Sequence, residues 1–260
     1  MRPHSPEVEE PSTDADGEGG NIREEAPQKR PREHALSLAQ GKVYQSHMDT
    51  LLAPALEEYL LDLARSQHTD PVLDEMEARA AAHNFPIVGR AVGRLLEVEA
   101  RSIGARRVME LGSGYGYSAY WFARAVGDGG SVVCTDAAED NARDAERYLQ
   151  RAGLWERVRY RVGDALQGFT AEEGDFDIVY CDVDKTGYPD CWRAACERIR
   201  VGGLYLCDNV LWSGRVAEPE DSAANTQAIR VHNQLVAADP RYVSTIAPLR
   251  DGVMIALRVA

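Results

Sequence analysis

Two short stretches in the second half of the chain concentrate side chains able to do chemistry: C-D-V-D-K from Cys181 to Lys185 and C-D-N from Cys207 to Asn209. Asp182, Asp208 and Asn209 offer two carboxylates and an amide oxygen. An all-oxygen set suits a hard cation such as Mg2+, Mn2+ or Ca2+ and not zinc. The competing reading is that each acid caps the helix or loop after its strand. Lys185 stands three residues after Asp182, within reach of anything bound there. The 29 basic residues comprise 26 Arg and three Lys, namely Lys29, Lys42 and Lys185. In a chain that otherwise uses Arg almost exclusively, a lysine at this spot fits a need for deprotonation, because Arg cannot act as a base in practice.

A second constellation lies upstream, in E-L-G-S-G-Y-G from Glu110 to Gly116. Gly112, Gly114 and Gly116 let backbone approach a ligand at the end of a strand. Dinucleotide enzymes use a similar pattern, and many Gly-rich turns bind nothing. Glu110, ahead of the first glycine, favours a cationic amino group there and would repel a pyrophosphate. Asp136 ends the next strand-like run and suits a carboxylate accepting both ribose hydroxyls. Gly163, Asp164 and Ala165 fall where an adenine edge would be held, or form a simple strand-to-loop turn.

Alternating strands and helices must position these groups. Strand-like Arg106 to Leu111 leads into helical YSAYWFARAV, and Ser131 to Asp136 leads into a helix ending at Gly153. VRYRVGDA, a loop, FDIVYCDVD, a helix from about Tyr188 to Ile199 and GGLYLCDN follow. This rhythm predicts a parallel, doubly wound sheet covered on both faces. The last runs, Tyr242 to Leu249 and Val253 to Ala260, are joined only by Arg250, Asp251 and Gly252, which predicts an antiparallel hairpin. Adjacent parallel strands bring their carboxyl ends together, so Asp182, Asp208 and Asn209 can converge. Before the sheet, helical periodicity runs from about Ser37 to Arg65, from about Val72 to Ala82 and from Val88 to Ile103, with Pro86 interrupting.

Composition narrows the classes. Residues 1–35 are acidic, rich in Pro, Gly and Ser and poor in large apolar side chains, so a disordered tail is expected, followed by one domain over 36–260: helices to about 104, then a catalytic α/β core. The chain carries a net charge of −13, which disfavours an extended phosphate-backbone partner. No secretory leader or membrane span is expected. The five cysteines form no C-x-x-C pair and read as reduced thiols of a cytoplasmic protein.

The stretches ELGSGYGYS, FDIVYCDVDKTGY, VGGLYLCDNVLWSGRV and LRDG, in this order and spacing over roughly residues 70–260, resemble the cation-dependent O-methyltransferases of the caffeoyl-CoA and catechol type. The resemblance implies a Rossmann-like class I methyltransferase fold, with a seven-stranded, mostly parallel sheet, a C-terminal antiparallel hairpin and helices on both faces. It implies that Glu110, Gly112, Ser118, Asp136 and Ala165 contact S-adenosyl-L-methionine, with Asp182 near it. Asp182, Asp208 and Asn209 would hold a divalent cation, Mg2+ first. Lys185 would be the base, its pKa depressed beside that charge. Trp212 matches an aromatic at the edge of the acceptor pocket, and Phe85, Pro86, Ile87 and Val88 fall where the family meets substrate. His83 and His232 match no catalytic position. The implied acceptor is a small aromatic with vicinal hydroxyls, and the implied assembly a homodimer. Three other readings use the same residues: methylation of a hydroxylated tRNA nucleoside, a non-catalytic adenosylmethionine-binding protein, and a nicotinamide oxidoreductase. The complete Asp182, Lys185, Asp208 and Asn209 set argues against the second, and Glu110 with the C-D-N triplet against the third.

Overall fold

Seven strands form one sheet in the order β3-β2-β1-β4-β5-β7-β6, in a computed structural model that describes residues 52–260. β1 (Arg107–Leu111), β2 (Ser131–Asp136), β3 (Val158–Val162), β4 (Phe176–Cys181) and β5 (Ile199–Cys207) run parallel. β6 (Tyr242–Ala247) and β7 (Val253–Arg258) pair antiparallel, and β7 pairs antiparallel with β5, as the hairpin pattern predicts.

Strand alternation divides the core in two. Val108, Val132, Cys134, Ile178, Tyr180, Leu204 and Leu206 face one cluster, with α2 (Pro71–His83), α3 (Gly89–Ser102) and α4 (Tyr117–Val126) packed against it. Met109, Leu111, Val133, Val179, Cys181, Tyr205 and Cys207 face the other, which is covered by α6 (Ala165–Thr170), α7 (Tyr188–Ala195) and α8 (Ala224–Ala238). With both faces buried, the central strands are mostly apolar, which is why their runs lack polar alternation, with buried Glu110 in β1 an exception that belongs to the site. α1 (Pro54–Gln67) packs on α3, and α5 (Glu139–Arg151) follows β2.

Local chemistry explains the helix ends that matter here. Asp70 caps α2 by accepting from Val72 N–H at 2.8 Å, and Pro71 occupies a first-turn position where its missing N–H costs nothing. Asp164 caps α6 by accepting from Gln167 N–H at 2.8 Å.

Three elements depart from the sequence reading. The helix expected to reach Ile199 stops at Ala195, since Ile199 already belongs to β5. α6 replaces an expected loop. α8 was not foreseen at all, because its buried residues, Thr226, Ile229, His232 and Val236, are half polar and give a diluted periodic signal. The expected tail and the part of the first helical run before residue 52 lie outside the described residues. Among the described residues no helix is long and apolar enough to cross a membrane.

Candidate active site

The strand order reverses between β1 and β4, where doubly wound sheets open a crevice at their carboxyl ends. The ladder continues past the strands: Asp182 N–H donates to Leu111 carbonyl at 2.8 Å, and Asp208 N–H donates to Cys181 carbonyl at 3.2 Å. These bonds set the turn after β1, Asp182 and Asp208 side by side. Gly112 is required by this closeness. Its φ is 83°, and a Cβ there would lie 2.8 Å from the Asp182 carbonyl carbon.

Lys185 ties the site together. Its Nζ donates to Asp182 Oδ1 at 3.0 Å, to Asn209 Oδ1 at 2.8 Å and to Tyr188 Oη at 2.6 Å. The Tyr188 hydroxyl donates in turn to the Asp208 carbonyl at 2.8 Å. Thus Asp182, Lys185 and Asn209 meet directly, and Asp208 joins through Tyr188. Burial lowers the Lys185 pKa, but the charges of Asp182 and Asp208 outweigh it and the net displacement is upward. That is opposite to the depression expected beside a cation, because in the chain alone the nearest charges are carboxylates.

Asp208 is 2% exposed, and its Oδ1 has no hydrogen-bond donor among the described residues. Burial, reinforced by the Asp182 charge, pushes its pKa up to about 7, with Arg250 and Lys185 opposing. An unneutralised buried carboxylate is costly unless a positive partner binds. Asn209 holds a left-handed backbone at φ 57°, which aims its amide back toward Lys185. Two acids and an amide oxygen with one bare buried oxygen therefore fit a hard cation. Among the described residues no group of three or more His, Cys, Asp and Glu side chains is placed to hold a metal ion.

On the other side of the crevice Glu110 is fully buried, and burial pushes its carboxyl up to about 7 while Ser118, Ser113 and Cys134 counter it. Among the described residues its Oε1 has no donor in hydrogen-bonding geometry. Asp136 is partly buried and already engaged. Its Oδ2 accepts from Gly114 N–H at 3.0 Å, and its Oδ1 accepts from Ala138 N–H and Asn141 Nδ2, both at 2.9 Å. The carboxylate thereby holds the glycine turn against β2. Gly116 caps α4 at φ 86°, and Ser118 is buried within its first turn. Asp164 serves as the α6 cap and Ala165 opens that helix, so the segment leads from β3 into a helix and not into a simple strand-to-loop turn.

The expected acceptor residues divide. Phe85 lies against Tyr115, with ring centroids 4.8 Å apart, and Pro86 is exposed. Val88 is buried in the core at 4% exposure and packs with the helices. Trp212 is partly buried at φ 50°, and its Nε1 has no hydrogen-bond partner among the described residues. His83 is exposed, whereas His232 is fully buried, sharing hydrogen bonds with Tyr205 Oη and Asn233 Oδ1, each at 3.0 Å. His232 also packs edge-on against Tyr188, with ring centroids 5.4 Å apart, but makes no hydrogen bond to Lys185. Sequence reasoning missed Tyr188 as a site residue. Its signal was the spacing from Lys185, one helical step away in DVDKTGY.

A Rossmann-like sheet closed by an antiparallel hairpin, with acids at the ends of β1, β2, β4 and β5, defines a class I methyltransferase. A family model described as O-methyltransferase matches residues 63–259, and the chain belongs to that family. Caffeoyl-CoA O-methyltransferase of Eucalyptus gunnii is 28% identical over 227 residues, covering 82% of this chain and 91% of the relative. Among solved structures, the O-methyltransferase of Bacillus cereus in complex with SAH superposes with a TM-score of 0.71 at 32% identity, covering 78% of this chain and 97% of that one. TomG of Streptomyces achromogenes, involved in tomaymycin synthesis and solved with SAM, gives a TM-score of 0.71 at 26% identity, covering 78% and 99%. The chain is thus an O-methyltransferase, similar to caffeoyl-CoA O-methyltransferases.

Proposed function

We propose that this enzyme transfers the methyl group of S-adenosylmethionine to one hydroxyl of a vicinal-dihydroxy aromatic, in a reaction that requires a divalent cation. The observation that carries the reading is the meeting of Asp182, Lys185 and Asn209 beside the buried Oδ1 of Asp208, which has no donor among the described residues. When bound, S-adenosylmethionine supplies an electrophilic methyl and the cation supplies charge that acidifies a phenol and gathers adjacent oxygens.

The chain's own groups do the rest. Glu110 Oε1, buried without a donor among the described residues, receives the cofactor's ammonium, and Asp136 holds its ribose. Asp182, Asp208 and Asn209 hold the cation. Lys185 Nζ faces this cluster and takes the proton from the acceptor hydroxyl, a role open to lysine and closed to arginine. Phe85, Pro86 and Trp212 edge the acceptor, while Val88 supports that segment from the core.

The test is a panel of catechols, matched monophenols and acyl-CoA phenols, with adenosylhomocysteine measured in the presence of EDTA, Mg2+ or Mn2+. Turnover confined to vicinal diols and abolished by chelator is the expected result. Full activity in excess EDTA, or equal kcat/KM on a catechol and its monophenol, refutes it.

A further inference from the structure

The closing motif LRDG, between β6 and β7, supplies the Arg250 charge that acts on Asp208, and its Asp251 and Gly252 grip the loop that carries the site. After β5 the chain passes through four left-handed residues: Asn209 at φ 57°, Trp212 at 50°, Ser213 at 52° and Gly214 at 80°. Three of these are not glycine, and such backbone persists only where the surroundings over-determine it. The β6–β7 turn supplies that constraint. Val210 N–H donates to the Gly252 carbonyl at 3.1 Å, and Leu211 N–H donates to the Asp251 carbonyl at 2.9 Å. Ser213 N–H donates to Asp251 Oδ1. Gly252, at φ 83°, permits the contact, since a Cβ there would lie 2.7 Å from Leu211 Cδ1. From the opposite side Asn233 Nδ2 on α8 donates to the Val210 carbonyl at 2.8 Å.

Asp251 is the only one of these partners to contribute a carboxylate, and it does so at 1% exposure. Its Oδ1 is committed to Ser213, while Oδ2 has no donor among the described residues. Burying an acid for the sake of one backbone N–H is expensive and makes sense where the bond fixes something that must not move. What it fixes is the segment bearing Asn209 at one end and Trp212 in the middle.

We propose that Asp251 is a positioning residue whose carboxylate locks the Asn209–Gly214 loop in its left-handed form, setting the cation's amide ligand and the acceptor's aromatic edge in one register. The proposal rests on the roles given above to Asn209 and Trp212. Asp251 touches neither substrate nor cofactor; it acts through Ser213 and Leu211.

Hydrogen exchange of the 208–215 segment in wild type, Asp251→Ala and Asp251→Asn tests the lock directly, beside acceptor kinetics and calorimetry of S-adenosylmethionine binding. Loss of a charged, buried hydrogen bond should speed exchange of this segment by about 10- to 100-fold in the Ala variant and raise the acceptor KM by a similar factor. Exchange in β1 to β5 and cofactor affinity should stay near wild type. Asn retains an oxygen that can accept from Ser213, so it should recover most of the protection. Wild-type exchange in Asp251→Ala overturns the proposal, as does faster exchange throughout the sheet, or an Asn variant no better than Ala. If wild type turns over no vicinal diol, the functional reading fails on its own while the exchange data still decide the lock.

Discussion

Replacing Glu110 by Gln should make the cofactor-free protein more stable at pH 8 and impair it as an enzyme. The Glu110 carboxyl is fully buried, and burial lifts its pKa from an ordinary 4.5 to about 7. For an acid raised in this way the folded state favours the protonated form. The fold carries no penalty below about pH 4.5, an increasing one as pH rises toward 7, and the full penalty above it. At about 1.36 kcal/mol per pH unit the full penalty is about 3 kcal/mol. Glutamine cannot ionise, so it escapes this cost, although its buried amide brings an unsatisfied-group cost of about 1–3 kcal/mol that does not vary with pH. The change in the stability difference between pH 4.5 and pH 8 cancels that constant. Glu110→Gln should therefore gain up to about 3 kcal/mol on wild type across this interval, or about 6–12 °C in Tm for a chain of this size. Urea melts or calorimetry at both pH values, without cofactor, give the number. Saturating S-adenosylmethionine should then reverse the order at pH 8, since ligand at 100 Kd adds about 2.7 kcal/mol to a protein that binds it. A stability difference that does not move with pH would refute the burial argument. Unchanged cofactor affinity in the variant would remove Glu110 from the cofactor site.

Four other outcomes are expected. Lys185→Arg and Lys185→Ala should both lose about 10²- to 10⁴-fold in kcat at neutral pH and partly recover as pH rises; near-normal turnover by the Arg variant in a pH–rate profile would make Lys185 an electrostatic group and not a base. Asp208→Ala should mimic chelation while leaving S-adenosylmethionine affinity intact in calorimetry, and loss of cofactor binding with retained metal response would show that the site is wrongly divided. Gly112→Ala places a Cβ against the Asp182 carbonyl in a left-handed residue, a strain of about 1–2 kcal/mol from backbone alone, and should weaken cofactor binding and lower Tm by several degrees. Tyr188→Phe removes the hydroxyl between Lys185 and the Asp208 carbonyl, and should lower kcat with little change in cofactor affinity; a loss confined to KM would place Tyr188 in acceptor binding.

Much of this protein could be read along the chain because its central features are local. A strand end, a glycine turn and a cap are written within a few residues, so ELGSGYG, CDVDK and CDN announced where β1, β4 and β5 end and what they carry. The order of the strands then followed from periodicity, though α6 and α8 between them did not, and the hairpin followed from the few residues between its strands. Residue type alone also set the limits of the chemistry: a single lysine beside two acids and an amide, in a chain whose other basic residues are almost all arginine.

Tertiary structure decided whatever depends on partners distant in sequence. α8 escaped notice because half of its buried face is polar, and it is a helix here because Ile229, His232 and Val236 find a core that β5 and α7 provide. Val88 looked like a residue facing acceptor, but the packing of α3 turned it inward. The pKa values near 7 of Glu110 and Asp208 belong to no motif, since desolvation is a property of everything folded around a group. The hold of Asp251 on Ser213 joins residues 38 apart, and only the pairing of β7 with β5 brings them together. A sequence states which groups are available; how deeply each is buried, and what it meets there, is set by contacts that exist only once the sheet has closed.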